Sequence, residues 1–493
     1  MNIRALAFLL GISLSGSVAF AQDAIQSPAR RATSRLPLTP CKFDWIDEEL
    51  LCGALEVYEN RSAQSGRKIT INVVVVPSLI DNPIEAPLFY FEGGPGVSST
   101  DAASFFVDGV PYRKNRDIVL VDMRGTGLSN PLHCNLLGDP LDLQNYLNEM
   151  YPDSAVVVCR RELEKIADLT QYTTPIAIED FEDVRRWLGY ETINVMGLSY
   201  GTRLALAYMR TYPEHIRSAV LIGPLPPSVR VPSLHAPAGQ RAMDLMISDC
   251  EGDSACQGAY PNLRRDLRTL HEELSAAAAV ATITHPVSGT DVTLKIRGDI
   301  FFEALRSKMY SAGGARNLPW IITRAARGDF GPFLESAIPE TFDEPPFLAE
   351  GLYLSVTCAE DIPYIDTVAA RQGSDGTFFG DYRVSQQTRA AGHWPRGSLP
   401  AGYLDPFTSE IPTLIVSGFR DPVTPPSFAE ELKQSLPNGR VLTVPAMAHV
   451  PFSMTNSECL FNLIDRFIDT GYADSIDTSC IETMQPPPFR VSD

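Results

Sequence analysis

Chemistry is easiest to place in this chain at Gly197-Leu198-Ser199-Tyr200-Gly201. An apolar run at 193–196 precedes it and a helical pattern begins at Thr202. A serine at such a strand–turn–helix elbow holds its hydroxyl out from the backbone, where it can act as a nucleophile. The flanking glycines let the chain turn sharply there. The same five residues also suit an ordinary tight turn, so the partners decide. A serine hydroxyl needs a general base within hydrogen-bond reach and a carboxylate that holds the base in one tautomer. For a serine on this kind of elbow, the acid and then the histidine follow it along the chain.

Seven histidines allow elimination. His133 precedes the serine, His215 ends the helix after it, and His235, His271 and His285 fall in a region of different character. His393 sits in a Gly-His-Trp packing context. His449 alone follows a late strand-like run, 440–444, and is the expected base. Asp421 stands just past the run 412–418 and is the expected acid, although Asp-Pro-x-Thr-Pro-Pro also suits a helix cap or turn. A tetrahedral oxyanion needs two preorganised donors. The Tyr200 N–H is one by construction of the elbow. Gly94 supplies the other, from Glu92-Gly93-Gly94-Pro95-Gly96, where consecutive glycines leave backbone N–H groups unobstructed. A glycine-rich phosphate cradle is the competing reading, but no Gly-Lys-Ser/Thr follows.

The elements that must position these residues read as an α/β chain. Apolar runs at 71–77, 87–91, 117–122, 193–196 and 217–222 are continuous rather than alternating, as in strands buried on both faces of a mostly parallel sheet. Residues 180–188 form a helix with Phe181, Val184 and Leu188 on one face and Gly189 as its stop, and the helix after Ser199 runs to Pro213. After Gly223 a proline cluster marks a departure from the sheet. Leu263, Leu267, Leu270 and Leu274 then stripe a helix, and 282–296 reads as a hairpin. Buried-strand sequence returns at 412–417 and 440–444, and an amphipathic helix spans 456–470. The expected organisation is a leader at 1–21, an extended arm at 22–40, a first core segment at 41–223, a mainly helical cap at 224–405, a second core segment at 406–484 and a tail at 485–493.

Composition narrows the setting. The 493 residues carry a formal net charge of −19, which disfavours nucleic acid and anionic membrane surfaces as partners. Arg4, an apolar run at 5–14 and Ala19-Phe20-Ala21 read as a secretory signal cleaved near Ala21, which places the mature chain in a periplasm or medium. No later stretch approaches eighteen uninterrupted apolar residues, so no stable membrane association is expected. The nine cysteines suit an oxidising compartment. Four short-range pairs are expected, Cys41 with Cys52, Cys134 with Cys159, Cys250 with Cys256 and Cys459 with Cys480, leaving Cys358 as either a buried thiol, the expected state of an isolated cysteine, or a reactive one. No metal-ligand spacing and no cofactor motif is found.

Gly93-Gly94-Pro95-Gly96, Asp122-Met123-Arg124-Gly125-Thr126-Gly127-Leu128-Ser129 and the elbow together resemble the proline iminopeptidase-type serine peptidases of the α/β-hydrolase superfamily. The C-terminal part, from the run at 412–418 through Asp421-Pro422-Val423-Thr424-Pro425-Pro426 to His449, Cys459 and Cys480, is similar to the tripeptidyl aminopeptidase branch. The resemblance implies an α/β-hydrolase fold and a secreted exopeptidase, of prolyl or tripeptidyl type, acting on a small peptide or acyl substrate without a cofactor. It also implies acidic side chains for the substrate ammonium. Glu360, in Cys358-Ala359-Glu360-Asp361, is the first candidate and Glu92 the second. Two departures stand out. Glu92 occupies a loop position often taken by histidine, and Ala391 stands where many relatives carry a cysteine able to pair with Cys358. An esterase or other small-molecule hydrolase on the same scaffold is the alternative.

Overall fold

Runs of β-branched and aromatic residues build a nine-stranded sheet whose two faces are both covered. The computed structural model describes residues 37–81, 83, 85–339, 341–342, 347–473 and 476–492; the expected leader and most of the expected arm lie outside them. The strands are β1 (Thr39–Phe43), β2 (Ile46–Tyr58), β3 (Lys68–Val76), β4 (Leu88–Phe91), β5 (Ile118–Val121), β6 (Ile193–Leu198), β7 (Ile216–Ile222), β8 (Ala279–Thr284), β9 (Asp291–Ile296), β10 (Thr413–Gly418) and β11 (Gly439–Val444). The sheet order is β1-β2-β3-β5-β4-β6-β7-β10-β11, with β8 and β9 forming a separate hairpin. From β5 to β11 all neighbours run parallel, while β1, β2 and β3 form an antiparallel flank.

Every residue of β4, β5 and β10 is buried, as a parallel centre covered on both faces requires. Side chains alternate between two apolar layers, with Val73, Val75, Phe89, Phe91, Val119 and Val121 on one face. Val74, Val76, Leu88, Tyr90, Ile118 and Leu120 lie on the other.

The flanking hairpin β1–β2 was not among the expected strands, and Thr39 and Pro40 of the expected arm belong to it. Its half-exposed pattern, with Asp47, Glu48 and Glu49 in β2, lacks the continuous apolar run that marks the buried strands. The helix expected from residue 180 starts earlier, at Thr174, with Pro175 in its first turn. It ends as expected on Gly189, which is left-handed at φ 76°.

Between β7 and β10 the chain leaves the sheet for a largely helical insertion, including Val231–Gly252, Leu263–Ala276, Gly298–Lys308, Ala312–Ala325, Glu350–Glu360 and Tyr382–Ala391. It has its own apolar core, in which the Leu263, Leu267, Leu270 and Leu274 stripe meets Phe301, Phe302 and Trp320. All four expected disulfides are formed, and Cys358 is a buried free thiol. No helix among the described residues is long and apolar enough to cross a membrane.

Candidate active site

The elbow forms because nothing larger than glycine fits beside it. A Cβ on Gly201 would lie 1.9 Å from the Phe91 carbonyl oxygen, and one on Gly197 would lie 2.3 Å from that of Gly201. Ser199 itself adopts φ 56° and ψ −119° between β6 and the helix Tyr200–Thr211. A non-glycine residue held there stores about 1–3 kcal/mol of strain, which the surrounding packing must offset. The Ser199 N–H donates to Ile222 O of β7 at 2.8 Å, fixing the turn to the sheet.

Asp421 and His449, the expected acid and base, are brought together by an equally tight contact. A Cβ on Gly418, at the end of β10, would lie 1.7 Å from the Ala448 carbonyl oxygen, so the loops after β10 and β11 lie directly against each other. Asp421 Oδ1 accepts from the N–H groups of Val423 (2.7 Å) and Thr424 (2.8 Å), and Oδ2 accepts from Thr424 Oγ1 at 2.7 Å. His449 Nδ1 lies 2.7 Å from the same Oδ2. One oxygen of Asp421 thus shapes the turn, and the other faces the imidazole. The insertion closes the other side of His449. The Tyr310 carbonyl accepts from the N–H groups of His449 (3.0 Å) and Val450 (3.2 Å), and its ring packs edge-on to the imidazole at 5.1 Å.

Ser199 and His449 border one cavity of about 340 Å³ together with Tyr200, Gly93, Gly94 and Pro95. The glycine loop presses on the serine, since a Cβ on Gly93 would lie 3.3 Å from Ser199 Cβ. Asp122 anchors the segment that follows the loop, accepting from Ser98 Oγ (2.9 Å) and the Thr100 N–H (3.0 Å). Two residues on, Arg124 is fully buried and makes a two-point pair with Asp180 at 2.6 and 2.8 Å. The Asp122–Ser129 motif thus holds the loop in place from beneath.

Glu92 borders the cavity, but its carboxylate is partly engaged. Oε1 accepts from the Gly93 N–H and Oε2 from the Tyr90 hydroxyl, both at 2.8 Å, and burial pushes its pKa up. Glu360 requires a correction. Its oxygens accept from the Thr174 N–H (2.7 Å) and the Tyr403 hydroxyl (2.9 Å), fully buried and away from the cavity wall. One residue rotates a helix by about 100°, and it is the next residue, Asp361, that borders the cavity. There it is paired with Arg203 at 3.0 and 3.1 Å.

The cavity holds other charged and polar groups that sequence reasoning missed: Asp101, Glu350, His235 and Arg383. Asp101 is exposed to solvent, but partial desolvation at the cavity, with Asp122 nearby, pushes its carboxyl up to about 6. Burial pushes Glu350 up to about 7, although the Tyr151 hydroxyl donates to it at 3.2 Å. No local motif marks these four positions; Asp101 comes from the segment between β4 and β5, and the folding of the insertion over the sheet brings His235, Glu350 and Arg383 to the cavity.

A profile of the α/β-hydrolase fold family matches residues 86–453. The chain belongs to the α/β-hydrolase family. Among α/β-hydrolases and related peptidases, it is 24% identical over 506 residues to a tripeptidyl aminopeptidase of Streptomyces lividans, covering 95% of this chain and 90% of the relative. It is 22% identical over 484 residues to the serine protease Hip1 of Mycobacterium tuberculosis, covering 90% of each. A shorter stretch of 142 residues is 33% identical to a proline iminopeptidase of Xylella fastidiosa, covering 29% of this chain and 33% of the relative. This α/β-hydrolase thus resembles named serine peptidases along nearly its whole length, including the insertion.

Proposed function

We propose that the chain is an exported serine exopeptidase that cleaves peptides from a free amino terminus through an acyl-enzyme on Ser199. The observation that carries the reading is the His449–Asp421 contact of 2.7 Å at a cavity that also exposes the strained Ser199 elbow. In this mechanism the Ser199 hydroxyl attacks the scissile carbonyl and its proton passes to His449 Nε2. Asp421 holds Nδ1–H and stabilises the imidazolium that forms. The Tyr200 and Gly94 N–H groups receive the oxyanion; the preceding Gly93 N–H is already donated to Glu92. His449 then protonates the leaving amine, and water releases the acyl group by the same steps reversed. The substrate ammonium is held by cavity carboxylates, Glu92 with Glu350 and Asp101 in the place first expected of Glu360. The tripeptidyl aminopeptidase and proline iminopeptidase relatives support an aminopeptidase, and the leader expected at 1–21 together with four disulfides supports export.

A panel of aminoacyl and tripeptidyl anilides with free amines, their N-acetylated forms and short acyl esters tests this, with Ser199→Ala as the blank. The expected result is anilide turnover that requires the free amine and vanishes in the blank. Turnover of esters alone would overturn the peptidase reading. That outcome is the second reading, an esterase, which the apolar side chains Phe105, Leu198, Leu348, Val423 and Phe452 on the cavity wall favour.

A further inference from the structure

The insertion brings an uneven set of charges to the cavity. Glu303, on the helix Gly298–Lys308, accepts from Arg306 at 3.0 and 2.6 Å and from Arg383 at 2.7 Å. One carboxylate therefore serves two guanidiniums. Burial opposes its ionisation, yet the two arginines hold its pKa down to about 2, so it stays charged and the trio carries a net positive charge. Arg306 is completely buried, while the Arg383 side chain is 19% exposed and borders the cavity. A guanidinium has five N–H donors; Arg383 gives Nε to Glu303, and its terminal nitrogens make no hydrogen bond to the described residues.

His235 stands beside it. Both residues line the main cavity and, with Glu303 and Arg306, the wall of a small adjoining void. His235 is 4% exposed, and neither ring nitrogen has a hydrogen-bond partner among the described residues. Buried polar atoms without partners are uncommon in folded proteins, and such an atom on a cavity wall points to a ligand. Burial, reinforced by Arg306, Arg383 and His449, keeps the imidazole neutral, so it can donate one N–H without adding charge. Glu350 is a competing anion on the same cavity wall and feels the Arg383 charge, but no ion pair joins the two among the described residues, and its described hydrogen-bond donor is Tyr151.

Building on the hydrolase reading, we propose that Arg383 and His235 form a carboxylate-binding subsite of the cavity. The carboxylate is either an acidic side chain of the acyl segment or the free carboxyl terminus of a short peptide. Arg383 offers its terminal N–H groups and the charge, and His235 offers one N–H, which together make a fork suited to a planar anion. Glu303 and Arg306 hold Arg383 in place and leave its charge uncancelled.

Two substrate pairs distinguish the sources: tripeptidyl anilides differing only by Glu against Gln, and short peptides with a free against an amidated carboxyl terminus. The mature chain is expected to favour the carboxylate member of one pair by at least about tenfold in kcat/KM, and the pair that responds identifies the source. Arg383→Gln brings that ratio close to one, Arg383→Lys retains part of it and His235→Leu lowers it about threefold. Ratios near one for both pairs in the unaltered protein overturn the subsite, as does an unchanged ratio in Arg383→Gln. Calorimetry on Ser199→Ala protein with glutarate, against its neutral diamide glutaramide, reads the subsite without turnover and without disturbing Glu303. Heat from glutarate alone supports it; equal or absent heat from both overturns it. Turnover of the Gln-containing anilide, lost in Ser199→Ala, reports on the hydrolase reading separately.

Discussion

The two halves of the cavity are held by different means. On the sheet side, Ser199, the Gly93-Gly94 turn and the Asp421–His449 pair are set by backbone packed against backbone, with no room for a Cβ at Gly197, Gly201 or Gly418. On the insertion side, Arg383, Glu303 and Arg306 are set by side chains paired across 80 residues of sequence, and His235 faces the cavity without a partner. A backbone-built half tolerates almost no displacement, whereas a side-chain-built half can be rewritten by single substitutions without refolding the sheet. The first suits an invariant chemical step, and the second suits a choice of substrate. Tyr310 is where they meet, because its carbonyl and ring both pack on His449.

The sharpest way to break the sheet half alone is Asp421→Asn. The amide keeps the turn by accepting from Val423 and Thr424, but it no longer holds the imidazole in the required tautomer. A loss in kcat of about 10⁴-fold is expected, with KM and thermal stability nearly unchanged, measured on a free-amine anilide. A loss below tenfold would mean that another group orients His449.

The two halves were also unequally legible. The elbow, Asp421 and His449 could be placed because each follows a buried strand at short range, and elimination among seven histidines leaves a single residue after β11. The parallel centre could be placed for the same reason, since strands buried on both faces are continuous apolar runs. The hairpin β1–β2 escaped because strands of a flank with one half-exposed face carry charge among their apolar residues. Glu360 was chosen over its neighbour because a four-residue motif does not specify which of two adjacent carboxylates a helix end turns inward. Arg383 and His235 lie 148 positions apart, and nothing local to either one signals the other.

The junction is tested by Tyr310→Ala. The carbonyl that anchors the His449 loop remains, but the ring that limits the imidazole's swing is lost. A small misplacement of a catalytic base costs up to about 10²-fold, and a fall in kcat of about 10- to 100-fold is expected for esters and anilides alike. An effect confined to anilides would instead place Tyr310 among the specificity groups of the insertion.

Glu350→Gln tests the insertion half through pH. Burial raises the folded carboxyl to about 7, above its unfolded value. Its ionised form, the one able to attract an ammonium, therefore fills in only as pH rises through about 7. The ratio of kcat/KM for a free-amine anilide over a neutral ester is expected to rise several-fold from about pH 5.5 to pH 7, a range in which the substrate amine stays mostly protonated. In Glu350→Gln the ratio is flat. Stability shifts the opposite way. A carboxyl whose folded pKa is raised is harmless below the unfolded value, costs stability progressively as pH climbs from the unfolded value to the folded one, and adds no further pH dependence above it. The glutamine variant is accordingly expected to lose less stability than wild type between about pH 4.5 and pH 7 in thermal melts, and a wild type that gains on the variant over that range would contradict a raised carboxyl.

The smallest effect is expected at Cys358, which lies in the insertion close to the cavity yet takes no part in either half. It is 3% exposed, on the helix Glu350–Glu360, and burial pushes its thiol up to about 12. A thiol so placed is not a nucleophile at neutral pH and packs as a small apolar group. Cys358→Ala removes one sulfur atom from a packed core, at a cost of about 1 kcal/mol, and leaves both kcat/KM and the anilide-to-ester ratio unchanged. In the folded wild type a thiol-reactive dye labels nothing within the time that unfolded protein takes up one equivalent. Rapid labelling of the folded chain would show that the Glu350–Glu360 helix opens readily, and the rigid wall assumed for Glu350 and Asp361 would then have to be replaced by a mobile one.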